Sequence, residues 1–279
     1  MNESIKNILK SIGLYYPLQS FYRGIIFSFQ NKKLRRQFMQ YEGRGYTCNV
    51  CGSMYQKFVP DNPLKEDAAA IENNHVVAGY GENIFCPNCM STARERLLIA
   101  YLKDKVDVAG KKILHLSPEK NIYQFLKEKA LVTTADLLPG FYRTIDGKVQ
   151  KQDATCFSFH DNSFDLVVAN HILEHIPDDS KAMQEILRVM KPGAMAILQV
   201  PYSETLLATI EDVAIDDPAK QSALYGQKDH VRIYSLNDYL KRLKETGFLV
   251  EVLGKNELKT YIKFATQPDE KLFLLFKKT

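Results

Sequence analysis

Apolar and polar residues follow two different repeats along the chain from about residue 93 onward. Short apolar runs that suit buried strands are separated by stretches whose apolar residues recur at helical spacing. The predicted strands span residues 112–116, 132–135, 164–169, 194–200, 248–253 and 271–276, and the predicted helices span residues 93–103, 121–129, 181–190 and 236–246. Strands that alternate with helices indicate an α/β fold with a doubly wound, mostly parallel sheet that helices cover on both faces.

The regular pattern is weaker toward the N-terminus, and this change predicts three regions. Residues 1–45 are expected to form a helical arm rich in aromatic and basic residues, and residues 46–92 a small module with few periodic segments. Residues 93–279 are expected to form the α/β domain. The chain is long enough for one large domain with a small module in front of it.

The net charge of +4 is unevenly distributed. Residues 1–47 hold eight basic and two acidic side chains, whereas the remaining residues hold 29 basic and 31 acidic ones. A basic arm on a near-neutral body is compatible with a nucleic-acid partner but does not require one. Its stretch 14–36 is aromatic and basic, and it can dock on its own domain, on a partner or on an anionic membrane surface.

The first residues do not resemble a secretory leader. They lack a clean apolar core and a cleavage site of small residues. No apolar run reaches the roughly 20 residues that span a bilayer. We therefore expect no transmembrane segment and a cytoplasmic protein, with peripheral contact at the inner membrane face as an option for residues 14–36.

Two C-x-x-C pairs, Cys48/Cys51 and Cys86/Cys89, predict a metal site. Each pair places two thiolates on one tight turn, at about 2.3 Å from a shared ion, and two such turns supply the closed four-sulfur set of a structural Zn²⁺ site. The alternatives are a redox pair or four unligated thiols. A redox C-x-x-C normally stands alone at the start of a helix in a βαβ unit, so the sequence favours a zinc-binding module.

The segment 111–120 predicts a strand followed by a turn and the start of a helix. In an open α/β sheet, ligands bind at the carboxyl ends of the strands. Asp136 follows about 20 residues later, at the end of the second predicted strand, where a carboxylate can accept hydrogen bonds from ribose hydroxyls. Asp153 and Ala154 precede a strand of the fully buried type. These positions predict a nucleotide site at one sheet edge.

The runs FDLVVANHILEHIPDD and EILRVMKPGAMAILQVP resemble the class I S-adenosylmethionine-dependent methyltransferases, over about residues 110–279. The resemblance implies a seven-stranded Rossmann-like sheet and S-adenosylmethionine as cofactor. It also implies that Asp136 binds the ribose, Asp153 the adenine amino group with Ala154 beside the ring, and that Asn170 faces the methionine moiety. The implied cofactor-binding residues are His115, Ser117, Glu119, Asp136, Leu137, Asp153, Ala154 and Asn170.

The first loop departs from the usual acidic-x-Gly-x-Gly pattern of that family. His115, Ser117 and Glu119 stand at those places, and glycine normally lets the backbone approach the ligand closely. The chain is similar here to a subset of bacterial methyltransferases that read LH-x-(A/S)-P-E and carry paired C-x-x-C knuckles upstream. The missing glycines also motivate an alternative, a non-catalytic zinc-binding scaffold with a degenerate methyltransferase fold.

A second motif competes for the same region. His171, Glu174 and His175 match H-x-x-E-H, an inverted zinc-peptidase signature. On a helix the two histidines would share a face. However, Pro177 ends the segment after one or two turns, and no distal acidic ligand is apparent. The favoured interpretation is that the histidines line or cap the cofactor cleft.

Methyl transfer to an oxygen requires a base that removes the hydroxyl proton. The predicted catalytic residues are His171, just after the predicted strand 164–169, and His230, within the long insertion 202–232 that is predicted to form a lid over the substrate. The alternative is that Asp229, His230 and Arg232 only pin this lid by hydrogen bonds. Arg232 is also a candidate to meet an anionic substrate.

The predicted acceptor is a hydroxyl of a small molecule or glycan. The main alternative is a ribosomal or other RNA, because some RNA methyltransferases also pair zinc knuckles with this fold. Only Lys57 and Lys65 are basic within residues 48–92, which weighs against RNA.

Overall fold

The computed structural model describes residues 32–279. The strands are β1 Glu42–Thr47, β2 Met54–Tyr55, β3 Val59–Asp61, β4 Val76–Val77, β5 Gly81–Phe85, β6 Lys112–Leu116, β7 Leu131–Asp136, β8 Gln150–Lys151, β9 Phe164–Asn170, β10 Met190–Gln199, β11 Tyr202–Ser203, β12 Ile210–Glu211, β13 Arg232–Ser235, β14 Leu249–Leu253 and β15 Leu272–Phe276. The helices after residue 60 are α1 Lys65–Asn73, α2 Ala93–Lys105, α3 Lys120–Lys127, α4 Asp179–Val189, α5 Pro218–Tyr225, α6 Leu236–Thr246 and α7 Lys255–Leu258. Short 3-10 helices span Met39–Tyr41, Pro139–Phe141, Leu173–His175 and Lys259–Phe264.

Seven strands form the main sheet in the order β14-β15-β10-β9-β6-β7-β8. Strands β10, β9, β6, β7 and β8 run parallel to one another, and β15 is antiparallel to both of its neighbours. The predicted seven-stranded, mostly parallel sheet is therefore confirmed. The chain passes from β6 outward to β7 and β8 and then returns to β9, so the carboxyl ends of β6 and β9 flank the point where ligands bind in such sheets.

The central strands are apolar on both faces because helices cover both sides of the sheet. Ile113 and Leu166 pack in one buried cluster, whereas their chain neighbours Leu114 and Val167 pack in the other. Successive side chains of a strand point to opposite faces, so one apolar run fills two cores. This burial on both faces explains why the strands could be read as continuous apolar runs.

Helix α2 begins with a capping box. The Thr92 hydroxyl accepts a hydrogen bond from the Glu95 backbone at 3.1 Å, and the Glu95 carboxylate accepts one from the Thr92 backbone at 2.9 Å. The same carboxylate accepts a bond from the Asn121 backbone, which ties α2 to the start of α3. The cap thereby fixes the position of Arg94 in the first turn of α2.

The region with the cysteines packs on the domain through Arg96, whose side chain is fully buried. Its guanidinium donates hydrogen bonds to five backbone carbonyls, those of Asn83, Ile84, Ser91, Phe264 and Ala265. Three of these carbonyls precede α2, and two follow Arg96 by more than 160 residues. Burial lowers the pKa of Arg96 to about 10, so it stays charged at neutral pH.

A second, four-stranded sheet in the order β12-β13-β11-β4 joins two distant parts of the chain. Strand β4 comes from the segment between the two cysteine pairs, and β11 and β12 come from the predicted lid 202–232. Ala70 of α1 packs with Tyr225 of α5 and Ile233 of β13. The long insert between the cysteine pairs thus packs on residues 202–232.

Several elements differ from the predictions. Strand β8 and the short strands of the second sheet were not predicted, and β1 crosses the boundary predicted at residue 45. Residues 32–38 are helical, whereas residues 1–31, most of the predicted arm, lie outside the described part of the chain. The three-region division and the docking of residues 14–36 therefore remain predictions. Within residues 32–279, no helix has both the length and the apolar character needed to cross a membrane.

Candidate active site

The four cysteines of the C-x-x-C pairs converge. Cys48 Sγ lies 3.6 Å from Cys89 Sγ, and Cys51 Sγ lies 3.7 Å from Cys86 Sγ. Four sulfurs at about 2.3 Å from a tetrahedral zinc ion stand about 3.8 Å apart, so the spacing fits that ion. All four thiols are free of disulfides.

The two cysteine turns have the same backbone design. The first cysteine of each pair accepts a 2.8 Å hydrogen bond at its carbonyl, from Gly52 in one turn and Met90 in the other. Both donors have a positive φ, +77° and +58°. Each turn thus presents two thiols to one point, as a shared structural ion requires, and zinc at this site remains a prediction with a good geometric fit.

A cleft of about 680 Å³ opens at the carboxyl ends of β6, β7 and β9. Five of the predicted cofactor-binding residues line it: Ser117, Asp136, Leu137, Asp153 and Ala154. Phe141 and Tyr142 add aromatic surface to the same cleft. A volume of this size and a lining that is apolar with a few polar groups are typical of small-molecule sites.

The loop after β6 adopts the conformation that glycine usually provides. Ser117 has φ +44°, in the left-handed region, and its backbone N–H donates to the Ala135 carbonyl at 2.9 Å. Its hydroxyl donates to Asp136 Oδ2 at 2.6 Å. The loop therefore leaves the space above Asp136 and Asp153 open although it contains no glycine.

The other three predicted cofactor-binding residues, His115, Glu119 and Asn170, do not line this cleft. Glu119 accepts hydrogen bonds from Asn170 Nδ2 at 2.5 Å and from Arg94 Nη2 at 3.2 Å. The Glu119 backbone donates to His115 Nε2 at 3.3 Å. Burial lowers the pKa of His115 to about 3, so its ring is neutral. These residues brace the first loop against β9, and their contact with a cofactor remains a prediction.

A second pocket, of about 340 Å³, adjoins the cleft. Four parts of the chain build it: the insert between the cysteine pairs, the first turn of α2, the segment around His171 and the segment around His230. Its polar lining includes Asp61, Tyr80, Arg94, His171, Glu174, His175, Gln227 and His230. His171 and His175 line both cavities. Both predicted catalytic residues, His171 and His230, thus face one pocket.

Three histidines surround one buried carboxylate in this pocket. His171 Nδ1 lies 3.3 Å from Glu174 Oε1, and the rings of His175 and His230 have centroids 4.7 Å apart. Burial is the main cause that lowers the pKa of His171 to about 4, and the charge of Arg94 adds to it. Burial opposes ionisation of Glu174, but the contact with His171 and the neighbouring histidines lower its pKa to about 2. The arrangement is a neutral imidazole beside an ionised carboxylate.

The zinc-peptidase interpretation fails on local geometry. Leu173–His175 is one turn of 3-10 helix, and His171 has φ +52°. The two histidines are therefore not on one face of an α-helix.

The expectation that Arg232 meets an anionic substrate is wrong. Its side chain is buried, pairs with Glu211 at 2.8 Å and donates to three backbone carbonyls, those of Leu173, Ile176 and Pro177. Arg232 holds the end of the predicted lid against the His171–Pro177 segment by hydrogen bonds, as the alternative interpretation proposed for this residue.

The sequence did not reveal two features of the second pocket. Arg94 was not singled out, and Tyr80 belongs to an insert that carries no motif of its own. The capping box at Thr92 was visible as T-x-x-E and could have marked Arg94 as a fixed first-turn residue. No sequence pattern could have predicted that Tyr80 and His230 line the same pocket.

Comparison with known proteins gives the following matches. Residues 110–198 match the family described as "Methyltransferase domain". The chain is 28% identical over 111 residues to Uncharacterized protein YafE of Escherichia coli K12. This alignment covers 38% of this chain and 48% of that protein. It is 29% identical over 99 residues to demethylmenaquinone methyltransferase of Renibacterium salmoninarum. This alignment covers 32% of this chain and 42% of that protein. The chain thus spans less than half the length of these curated relatives.

Among solved structures, the chain is similar to a SAM-dependent methyltransferase from Archaeoglobus fulgidus, with 14% identity and a TM-score of 0.45, over 66% of this chain and 94% of the other. The family match spans β6 to β10, which carry the cleft with Ser117, Asp136 and Asp153. The sequence match, the strand order and the position of the cleft agree with the fold of a class I S-adenosylmethionine-dependent methyltransferase.

Proposed function

We propose that this protein transfers a methyl group from S-adenosylmethionine to a hydroxyl of a small molecule or glycan bound in the second pocket. The observation that carries the proposal is that the cofactor cleft and the second pocket meet at His171 and His175. Methyl transfer is an in-line displacement, and holding donor and acceptor in adjoining cavities supplies much of the catalysis.

The cleft provides groups for the adenosyl half of the cofactor. Asp136 stands at the end of β7 with its carboxylate oriented by Ser117 and by the Leu138 backbone, which donates at 2.6 Å. Asp153 is held by the Thr155 backbone at 2.8 Å and by its hydroxyl at 2.7 Å. Both carboxylates retain lone pairs for ligand hydroxyl or amino groups. The cofactor, when bound, supplies the electrophilic methyl group.

The polar lining of the second pocket suits a hydroxylated acceptor. Tyr80, Arg94 and the histidines offer donors and acceptors in a volume that fits a small molecule or one sugar unit. The Glu174 carboxylate can only accept a hydrogen bond, so His171 carries its proton on Nδ1 and has its lone pair on Nε2. We assign His171 as the base for the acceptor hydroxyl, and His230 is the second candidate.

The test is a methyl-transfer assay on the full chain. Calorimetry with S-adenosylmethionine and S-adenosylhomocysteine comes first, and then radiolabelled methyl transfer is measured on hydroxylated small molecules, oligosaccharides and RNA. Binding with label on a hydroxylated acceptor supports the proposal. Absence of any binding heat supports the degenerate scaffold instead, and label on RNA alone supports an RNA methyltransferase.

A further inference from the structure

We infer that Glu174, His175 and His230 bind a divalent transition-metal ion, of which Zn²⁺ is the best match, in the wall between the cofactor cleft and the second pocket. One ligand atom of each residue lies within 4.8 Å of the other two. Ligands on a tetrahedral zinc stand roughly 3.4 Å apart, so small rotamer changes close this set on an ion. The site is separate from the four cysteines and needs neither cofactor nor acceptor.

Glu174 is a buried carboxylate whose charge lacks hydrogen bonds. Its side chain is completely buried, and neither Oε1 nor Oε2 has a hydrogen-bond partner among the described residues, although Oε1 lies 3.3 Å from His171 Nδ1. A buried carboxylate is costly unless each oxygen meets a donor or a cation. A metal ion beside Oε2 would compensate this charge, and Oε1 would keep its approach to His171.

His175 has the tautomer of a metal ligand. Its Nδ1 lies 3.0 Å from the Asp229 carbonyl, and a carbonyl can only accept, so Nδ1 carries the proton and Nε2 has the lone pair. Histidines that bind metals commonly donate their second N–H to a backbone carbonyl in this way. The loop whose Asp229 carbonyl contacts His175 thus also contains His230, the next residue in the chain.

The backbone fixes the two segments that supply the ligands. The Val231 N–H donates to the Glu174 carbonyl at 3.0 Å, and the His230 N–H donates to the Gln227 carbonyl at 3.2 Å. His230 is buried, so little side-chain freedom remains to be lost on binding. The donor set is therefore assembled before an ion arrives.

Two imidazoles and one carboxylate leave a coordination position open, in contrast to the closed four-thiolate site. An acceptor hydroxyl in the second pocket could take this position, and an ion lowers the pKa of a hydroxyl that it binds. This role rests on the proposed function and makes His230 a ligand, with His171 as the base. The metal site itself does not depend on methyl transfer.

The test measures metal content of the full chain without cofactor or acceptor. Protein saturated with Zn²⁺ and desalted is analysed by mass spectrometry for zinc, beside the variants His230→Gln, His175→Gln and Glu174→Gln, with His75→Gln on the exposed insert as control. We expect each pocket variant to lose one equivalent that the control retains. Cys89→Ser should lose the other equivalent and keep this one.

Substitution with Co²⁺ identifies the ligands. The difference spectrum between cobalt-loaded wild type and His230→Gln should show ligand-field absorption without a thiolate charge-transfer band, because the four-cysteine site contributes equally to both proteins. Thermal melting shows which of the three pocket variants are folded, and only the folded variants are compared with the wild type. The inference is overturned if folded His230→Gln carries as much zinc as the wild type. An active enzyme without this equivalent overturns the metal site alone, and an inactive protein that binds it overturns only the proposed function.

Discussion

The hydroxyl of Ser117 donates a hydrogen bond of 2.6 Å to Oδ2 of Asp136. This bond connects the ends of two neighbouring strands, β6 and β7, at the edge where the cleft opens. Ser117 adopts φ +44°, a conformation that non-glycine residues enter at some cost, so the surrounding structure must hold it there. A serine therefore both makes the turn and orients the carboxylate that is predicted to bind the ribose.

Asp136→Asn should weaken cofactor binding because the amide loses the negative charge that accepts ribose hydroxyls. A hydrogen bond to a charged group contributes about 1.5–3 kcal/mol, so we expect the Kd for S-adenosylhomocysteine to rise about tenfold or more. Calorimetry measures this Kd. Asp165→Asn is the matched control, since Asp165 lies at the opposite end of β9 and pairs with Lys191. Equal affinities of the two variants would remove Asp136 from the site.

His171→Asn should greatly lower kcat and leave the affinity for the cofactor nearly unchanged. Loss of a positioned base lowers kcat by about 10²–10⁴-fold, whereas the Kd for S-adenosylmethionine should change less than about threefold. His160→Asn, on an exposed loop, is the control and should keep full activity. A His171→Asn enzyme with normal kcat would transfer the role of base to another residue, with His230 the first to examine.

Cys89→Ser should destabilise the protein through loss of the four-sulfur site. Loss of a structural metal is one of the few single changes that cost more than about 4 kcal/mol, so the melting temperature should fall by roughly 10 °C. Cys156→Ser controls for removal of a thiol, because Cys156 is exposed and lies outside the cluster. If a chelator leaves the melting temperature of the wild type unchanged, the four cysteines do not hold a stabilising ion.

Gly226→Ala should loosen the contact between the insert and the lid. Gly226 has φ +76°, and a Cβ there would lie 2.6 Å from Ile71 Cγ1 of α1. We expect a loss of about 1–3 kcal/mol in the free energy of unfolding, measured by urea denaturation. Because Gln227 and His230 follow this turn, the acceptor KM should rise while cofactor affinity stays the same. Gly147→Ala has open space around its Cβ and should change stability by less than about 0.5 kcal/mol.

Local sequence determined the elements of the domain and their order. Strands 112–116 and helix 236–246 have the bounds that periodicity predicts, because their apolar residues face a continuous core and their ends carry clear stop signals such as Gly247. The cysteine spacing likewise determined the knuckle turns, since each pair is a local backbone structure. The cleft followed from the strand ends, because parallel strands bring their carboxyl ends to one edge.

Tertiary structure alone decided the second pocket. Tyr80, Arg94 and His230 come from segments more than 130 residues apart at the extremes, and nothing local relates them. Glu174 is similar: its position in H-x-x-E-H suggests a helix, but the backbone turns at His171 and buries the carboxylate among three histidines. Residue spacing along a chain predicts a site only when the residues of that site belong to one helix, strand or turn. The residues of the second pocket come together where the insert between the cysteine pairs packs on residues 202–232. Such long-range packing produces no periodic pattern in the sequence.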